Sequence, residues 1–394
     1  MADERTVKIL RAVSELETIR QEWESWPGNR DSEMESYLAF LRSNAKTVRP
    51  HVLVVYREGR PDAILVGRID CGRLTCKLGY LRVSPRAQIM CFVYGALRGN
   101  CSKENCDLMV NEILRSLSQG EADVAYMNFL RQESDLCMLA IKKPGRLSRD
   151  YVRISQPHFA AMLPATVEGF YHGLSPKVRK NQKWQAKKLI NHFSGAVRIH
   201  CYREVTDLDK MIQDVEQVAM KSYQRGLGVG FVDSPEMRQG LRLLASNGWL
   251  RAYVLYLVER PCAFWIGDIN QGTFGSDFIG YDTEFGKYSP GMFLATKVIE
   301  GFCNGNREGV TGIDFGPGNA QYKEVLSNQT WRETAVYIFA PTLKGIGLNL
   351  VRTLIGGVDQ TIKKMLASTG LLQKIKKRWR THATPKELTQ SANS

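Results

Sequence analysis

Residues 54–69 read VVYREGRPDAILVGRI, and residues 254–269 read VLYLVERPCAFWIGDI. Seven of these 16 positions are identical without a gap: Val54, Tyr56, Arg60, Pro61, Ala63, Gly67 and Ile69 recur as Val254, Tyr256, Arg260, Pro261, Ala263, Gly267 and Ile269. Gly72 and Gly272 extend the match. Each copy is an apolar run, a polar turn and a second apolar run, which is the pattern of two strands joined by a tight turn. The segments after the two copies are also alike. A helical pattern ending near Gly120 leads into the apolar strand DVAYMNFL, and one ending near Gly305 leads into VTGIDFG. Two related α/β units in tandem are expected, the alternative being that two Arg-Pro turns merely resemble one another.

Length agrees with that division, because 394 residues exceed one ordinary core and suit two domains of roughly 150–180 residues each. The sequence contains no uninterrupted apolar run of about 18 residues, and Asp3 charges the N-terminus early, so neither a membrane span nor a secretory leader is read. A cytoplasmic address is the expectation. Nine cysteines, an odd number without a regular framework, fit a reducing compartment. Cys101 and Cys106 bracket SKEN, which is no common zinc spacing and has no second pair nearby, so no metal site is expected.

Charge is concentrated in two segments. Residues 174–189, LSPKVRKNQKWQAKKL, contribute +6 with no acid, and residues 343–380 contribute +8, which together make up the whole formal net charge of +14. A phosphate-rich or otherwise anionic partner is implied for them, against the plainer reading of solvated helix faces. Within the second segment Leu343, Ile346, Leu350, Leu354, Val358, Ile362 and Met365 recur at helical spacing. That stripe suits packing on the domain, the favoured reading, or lying on an anionic bilayer.

Helical patterns cover TVKILRAVSELETIRQEWESW and MESYLAFLRS; strands lie near 51–57, 62–69 and 73–82; residues 83–105 read as loop; a helix near 106–118 precedes a strand at 123–130. A basic helix from about 175 to 193 has Ser175 as N-cap and Pro176 at its first position. Beyond it come a strand AVRIHCYREV, helices near 207–224 and 234–247, strands near 250–258, 262–269 and 273–281, a helix at 289–303, a strand at 312–316 and a last strand TAVYIFA. This order gives a mixed α+β fold, a largely antiparallel sheet with helices on its faces. The expected domains are 1–165, a bridging helix 166–194, 195–341, a basic amphipathic extension 342–380 and a disordered tail 381–394.

Chemistry is signalled at residues 281–323. A strand ending in Tyr281 and Asp282 passes through TEFGKY into Ser289, Pro290 and Gly291, and then into a helix. Ser289 can cap, Pro290 suits the first turn, and Gly291 lets a ligand approach the backbone. The free amides and positive dipole of such a helix start favour an anion, and Lys287 could add an ion pair. In DFGPGNAQYK, Asp314 ends a strand, Gly316 and Gly318 permit tight geometry, and Tyr322 and Lys323 come next. Strand ends beside a crossover are where open α/β sheets place ligands. Asp-Phe-Gly occurs in protein kinases, but no Gly-rich loop or His-Arg-Asp precedes it, so that reading fails. No nucleophile triad is legible, and His158, His172 and His200 stand in unlike contexts.

From about Leu174 to Lys323, the basic helix, the Arg260-Pro261 strand pair, YDTEFGKYSPG and DFGPGNAQYK resemble the acetyltransferase family linked to cellulose and other polysaccharide biosynthesis. That family belongs to the GCN5-related N-acetyltransferase (GNAT) superfamily. The chain is also similar to the Fem-type peptidyltransferases, whose two tandem domains agree with the repeat. The resemblance implies two GNAT-like domains, the first degenerate, and a direct acyl transfer from acetyl-coenzyme A or another acyl-coenzyme A. It implies that Tyr281, Asp282, Lys287, Tyr288, Ser289, Pro290 and Gly291 hold the coenzyme's pyrophosphate, although the superfamily's better-known Gln/Arg-x-x-Gly-x-Gly/Ala loop is not kept. Asp314 is the expected base, Tyr322 the acid or a substrate contact, and Lys323 a stabiliser of developing charge. The same segment in the first copy, VSPRAQIMCFVYG, is expected to run into a long loop, leaving that unit a substrate-binding or structural role.

Three functions are compatible with these readings. The first is an acyl-coenzyme A dependent N- or O-acyltransferase acting on a sugar, cell-envelope or small-molecule acceptor. The second is a Fem-like transferase using aminoacyl-tRNA, with Trp184 and its neighbouring lysines on the RNA. The third is a catalytically silent scaffold docked on a membrane surface.

Overall fold

The computed structural model describes residues 4–78, 81–226, 230–304 and 308–368. The expectation of a disordered tail at 381–394, and most of the basic segment beyond 368, lie outside the described residues. Within them the chain forms two compact units, residues 4–156 with 332–368 and residues 157–331.

The repeated hairpins set the frame of both. Val52–Arg57 pairs with Arg60–Arg73, and Leu250–Leu257 with Arg260–Asn270, in the same register: Val55 faces Ala63 and Tyr56 faces Pro61, as Leu255 faces Ala263 and Tyr256 faces Pro261. Both pairings shift at the same step, between Val55 and Tyr56 and between Leu255 and Tyr256. Both turn residues are left-handed in each copy, Glu58 and Gly59 at φ 50° and 78°, Val258 and Glu259 at φ 50° and 61°. A tight turn with two positive φ values matches the twist of its flanking strands. The repeat at Gly72 and Gly272 is not structural: Gly72 lies inside a strand, whereas Gly272, at φ 74°, turns the chain into the next one.

On either side of the hairpin the units repeat element by element. Arg5–Leu10 and Val197–Tyr202 pair antiparallel with the first hairpin strand. The stretch TVKIL is thus a strand rather than the start of a helix, since Val7 and Ile9 alternate with exposed Thr6 and Lys8. Arg86–Gly99 and Thr273–Tyr281 pair with the second hairpin strand, so residues 83–105, read as loop, contain a 14-residue strand. A helix comes after each, Lys103–Ser118 and Pro290–Cys303, and then a strand parallel to the one before it, Val124–Arg131 and Gly312–Pro317.

The sixth strand of each sheet departs from a simple tandem. The first unit is completed by Gln329–Phe339, antiparallel to Val124–Arg131, and the second by Ser155–Met162, antiparallel to Gly312–Pro317. Each unit's run of strands thus takes in a segment that serial order would give to the other. The expected boundaries at 165, 195 and 341 differ from this division, because a strand's own residues do not encode which partner it joins. The expected mixed, mostly antiparallel architecture of two related units holds.

Burial matches the pattern. Val52, Leu53, Val54, Val55, Ile64, Leu65, Val110 and Ile113 pack in the first unit. In the second, Trp265, Phe274, Leu294, Ile299 and Phe315 form one core and Met211, Val215, Phe264 and Ile266 another. The basic helix Pro176–His192 starts as expected, with Ser175 Oγ accepting from the Val178 amide at 3.4 Å and Pro176 in the first turn. A cap of this type contributes about 1 kcal/mol.

Candidate active site

In the second unit the strands Thr273–Tyr281 and Gly312–Pro317 pair over only three positions, ending at Gly275 and Asp314. Beyond that point they part, one remaining with the hairpin and the other turning to Ser155–Met162. A bulge sharpens the parting: pairing jumps from Ile266–Phe278 to Gly267–Ser276, which leaves Asp277 extra. A Cβ on Gly267 would stand 2.0 Å from the Gly275 carbonyl oxygen, so only glycine fits there. The opening between two diverging parallel strands exposes backbone groups that a neighbouring strand would otherwise occupy.

One wall of the opening is the start of the Pro290–Cys303 helix. Ser289 is left-handed at φ 52°, ψ 49°, and its hydroxyl makes no capping bond, so it takes the conformation of a glycine rather than the role of a cap. Pro290 has no amide hydrogen, and the Phe293 amide bonds the Ser289 carbonyl at 3.0 Å. The Gly291 and Met292 amides lie in the first turn, where no intrahelical acceptor exists. A Cβ on Gly291 would lie 3.3 Å from Tyr281 Cδ1, so the helix start rests against that ring. These features fit an anionic group held by backbone amides.

The residues just before the helix hold it in place. Asp282 is buried, with Oδ2 2.8 Å from Arg260 and 3.4 Å from Lys221, and Oδ1 accepts from the Glu284 amide at 3.0 Å. Its charge is already answered, so it shapes the turn instead of facing a ligand. Tyr288 is likewise buried, its ring stacked 4.7 Å from His192 and edge-on 5.2 Å from Phe193, both at the end of the basic helix. Lys188 donates to the Lys287 carbonyl at 3.1 Å, and the exposed Lys287 ammonium lies 5.0 Å from the Tyr288 ring. Of the seven residues expected to hold the coenzyme, Ser289, Pro290 and Gly291 form the helix start, Tyr281 and Lys287 flank it, and Asp282 and Tyr288 act from behind.

The opposite wall carries Asp314, Tyr322 and Lys323. Asp314 Oδ1 is 2.6 Å from His158 Nε2 and accepts from the Gly316 amide at 2.7 Å; its side chain keeps a quarter of its exposure, whereas His158 has none. The imidazole stacks on Trp331 at 4.4 Å. Tyr322, half-buried and edge-on to Phe315 at 6.2 Å, reaches across the parting to Ser276, which in turn accepts from Trp265 Nε1 at 2.8 Å. Burial pushes the Tyr322 hydroxyl up to about 12, so it stays protonated at neutral pH. Lys323 Nζ donates to the carbonyls of Gly316 and Pro317 at 3.2 and 2.9 Å. Burial pulls its ammonium down to about 8, with the Asp314 charge opposing.

His158 stood in the sequence only as one of three scattered histidines, and Ser276 and Tyr223 carried no signal there. His158 joins Asp314 only because the exchanged strand delivers it, and no local pattern announces that. Tyr223 lies edge-on to Tyr281 at 6.3 Å, on a short helix after Leu208–Ala219.

The first unit has the same strand, helix and strand but a different interior. Its bulge is larger, pairing jumping from Leu65–Leu97 to Gly67–Phe92. The looped-out Tyr94 meets Phe129, on the facing strand, edge-on at 6.1 Å. Its helix start is capped by Ser102, and Asp62 Oδ2 accepts from Asn105 and Asn100 at 2.7 and 3.0 Å. Here the Asn105 backbone amide is taken by Ser102 Oγ at 3.3 Å, where the second unit has no side-chain cap.

Residues 176–324 match the family described as Acetyltransferase (GNAT) domain. No curated protein matches the chain. The crystal structure of FemX is similar in fold, with a TM-score of 0.53 at 9% identity over 84% of this chain and 96% of that one. A tandem GNAT protein from the clavulanic acid biosynthesis pathway aligns with a TM-score of 0.48 at 12% identity, over 86% and 99%. A conserved protein of unknown function from Bacteroides thetaiotaomicron VPI-5482 gives 0.49 at 10%, over 84% and 100%. The second unit is a GNAT-type acyltransferase domain.

Proposed function

We propose that the second unit binds an acyl-coenzyme A in the parting between Thr273–Tyr281 and Gly312–Pro317 and transfers its acyl group directly to an amine or hydroxyl of a sugar, cell-envelope or small-molecule acceptor. The observation that carries the reading is the coincidence, in one opening, of a helix start with open amides and of Asp314, Tyr322 and Lys323 on the facing wall. The matched family spans all of these residues.

The bound thioester supplies an activated acyl carbon. Gly291 and Met292 amides and Lys287 would receive the pyrophosphate, in a loop where left-handed Ser289 replaces the usual glycine. Asp314, fixed by His158 and by the Gly316 amide through the same oxygen, accepts the proton that the attacking amine or hydroxyl loses as its bond to the acyl carbon forms. Tyr322, protonated because it is buried, donates to the departing sulfur as the carbon–sulfur bond breaks, and recovers its proton from solvent. Lys323 adds a donor beside the Gly316–Pro317 turn, where negative charge builds on the acyl oxygen. The first unit, with Tyr94 on Phe129 and a helix start capped by Ser102, has a structural or acceptor-binding role.

The test is to offer the purified chain acetyl-coenzyme A with a pool of amino sugars, polyamines and saccharides, reading free thiol and product mass. Acylated product formed by the wild type and lost in Tyr322→Phe supports the reading. Acyl transfer from an aminoacyl-tRNA, with none from acetyl-coenzyme A, would replace it with the Fem-like alternative, whose RNA would meet the lysines of Pro176–His192.

A further inference from the structure

The helix Leu343–Ser368 comes directly after the last strand of the first unit. It packs on that unit by one face only. Gly345 and Gly356 lie so close to the Ala340 carbonyl and to Val152 that a Cβ would stand 2.3 Å away in each case. Leu348 and Asn349 are buried between them, and Asn349 Nδ2 donates to the Leu147 and Arg149 carbonyls at 2.8 and 3.0 Å. The two cations of its first ten residues serve the fold: Lys344 pairs with Asp123 at 2.7 Å, and Arg352 pairs with Asp150 at 3.3 Å while lying 3.8 Å from the Tyr337 ring.

The other face is apolar and open. Leu343, Leu350, Leu354 and Val358 are 94, 58, 60 and 49% exposed, and their spacing puts them on one stripe opposite the packed glycines. For these four residues the expectation that the stripe packs on the domain is corrected; Ile346 is half-buried, and the side chains of Ile362 and Met365 lie outside the described ones. Single exposed leucines are ordinary, but a row of four large apolar side chains along one helix face is a contact surface. Among the described residues no helix is long and apolar enough to cross a membrane.

The sequence beyond the stripe indicates what covers it. Between Asp359 and Glu387 there is no acidic residue, while Lys363, Lys364, Lys374, Lys376, Lys377, Arg378 and Arg380 stand with Trp379, Leu371, Leu372 and Ile375. An apolar stripe continued by cations and interleaved apolar residues is the composition of a helix lying in an anionic lipid interface. We propose that the Leu343–Val358 face and the basic sequence after it dock the chain on the surface of a bilayer rich in anionic lipid. Neither the transferase site nor its ligand enters this inference.

The experiment is flotation of the full chain with vesicles of phosphatidylcholine alone and with vesicles rich in phosphatidylserine, beside a Leu350→Glu/Leu354→Glu variant checked by circular dichroism. Both leucines are exposed, so the variant should fold; Leu354→Gln is the milder substitute. Expected are binding to phosphatidylserine vesicles that weakens steeply with salt, and a loss of about tenfold or more in the double variant. Binding that the leucine variant retains in full would overturn the proposal, leaving charge alone. So would absence of binding by the wild type, including the case where the wild type is a dimer that the double variant splits, which would assign the face to a second copy of the chain.

Discussion

Asp314→Asn separates a chemical role for this carboxylate from a structural one. Both of its contacts fall on Oδ1, from His158 at 2.6 Å and from the Gly316 amide at 2.7 Å. Asparagine keeps a carbonyl oxygen in that place, so both bonds persist but lose the assistance of a full charge. The difference between charge-assisted and neutral bonds is about 1 kcal/mol each, reduced here because the side chain keeps some solvent. The total is about 1–2 kcal/mol, which lowers the melting temperature of a unit of this size by about 2–8 °C. A base that accepts the proton in the transition state is worth about 10²–10⁴-fold in rate. Asp314→Asn should therefore cost little in thermal melting and orders of magnitude in acyl transfer, measured as thiol release under saturating acetyl-coenzyme A. His158→Gln should give the opposite balance, a larger loss of stability from the Trp331 stack and a smaller loss of rate. A folded Asp314→Asn chain within about threefold of the wild-type rate, far inside the expected range, would refute the role given to Asp314.

Lys323 releases its proton at about 8 in the native state against 10.5 ordinarily, so between those values the unfolded chain binds more protons and stability rises with pH. Urea unfolding at pH 7.5 and 9.5 is expected to show that rise in the wild type and a smaller one in Lys323→Met; equal slopes would contradict the burial of the ammonium. Alanine at the two equivalent glycines should differ in cost, because a Gly267 Cβ meets a backbone oxygen at 2.0 Å while a Gly67 Cβ meets the Phe92 ring at 2.6 Å. Each should destabilise by about 1–3 kcal/mol or more in denaturant melts, Gly267→Ala more, since a ring can shift and a strand cannot. Replacing Ser289, left-handed at φ 52°, by glycine should leave stability unchanged or raise it by up to about 1 kcal/mol, and a fall beyond that in a thermal melt would show that its hydroxyl contributes.

The features legible in the sequence are those set by local patterns with fixed periods. The Arg-Pro hairpins, the Ser175-Pro176 helix start and the Pro290–Cys303 helix are visible because turn residues and apolar spacing are local properties. Thr273–Tyr281 falls where the alternation placed it. Arg86–Gly99 was hidden because its pairing is interrupted by a bulge at residues 93–96 and Gly95, at φ 64°, breaks the strand pattern. The exchange of Ser155–Met162 and Gln329–Phe339 is non-local and left no trace in either segment. For the same reason the site was half legible: Asp314, Tyr322 and Lys323 share one stretch of sequence, but His158 reaches Asp314 across 156 positions. Asp282 and Tyr288 drew attention by their place in a motif, and their burial turns them into supports.

The central claim, that the opening beside Gly291 receives an acyl-coenzyme A, is tested most directly by isothermal titration of the full chain with acetyl-coenzyme A and with desulfo-coenzyme A, beside Gly291→Trp, which fills the helix start against Tyr281. Saturable binding of both ligands by the wild type, lost in a Gly291→Trp chain that keeps its melting transition, is the expected result. Absence of binding by the wild type, or undiminished binding by the folded variant, would contradict the assignment of this opening to an acyl-coenzyme A.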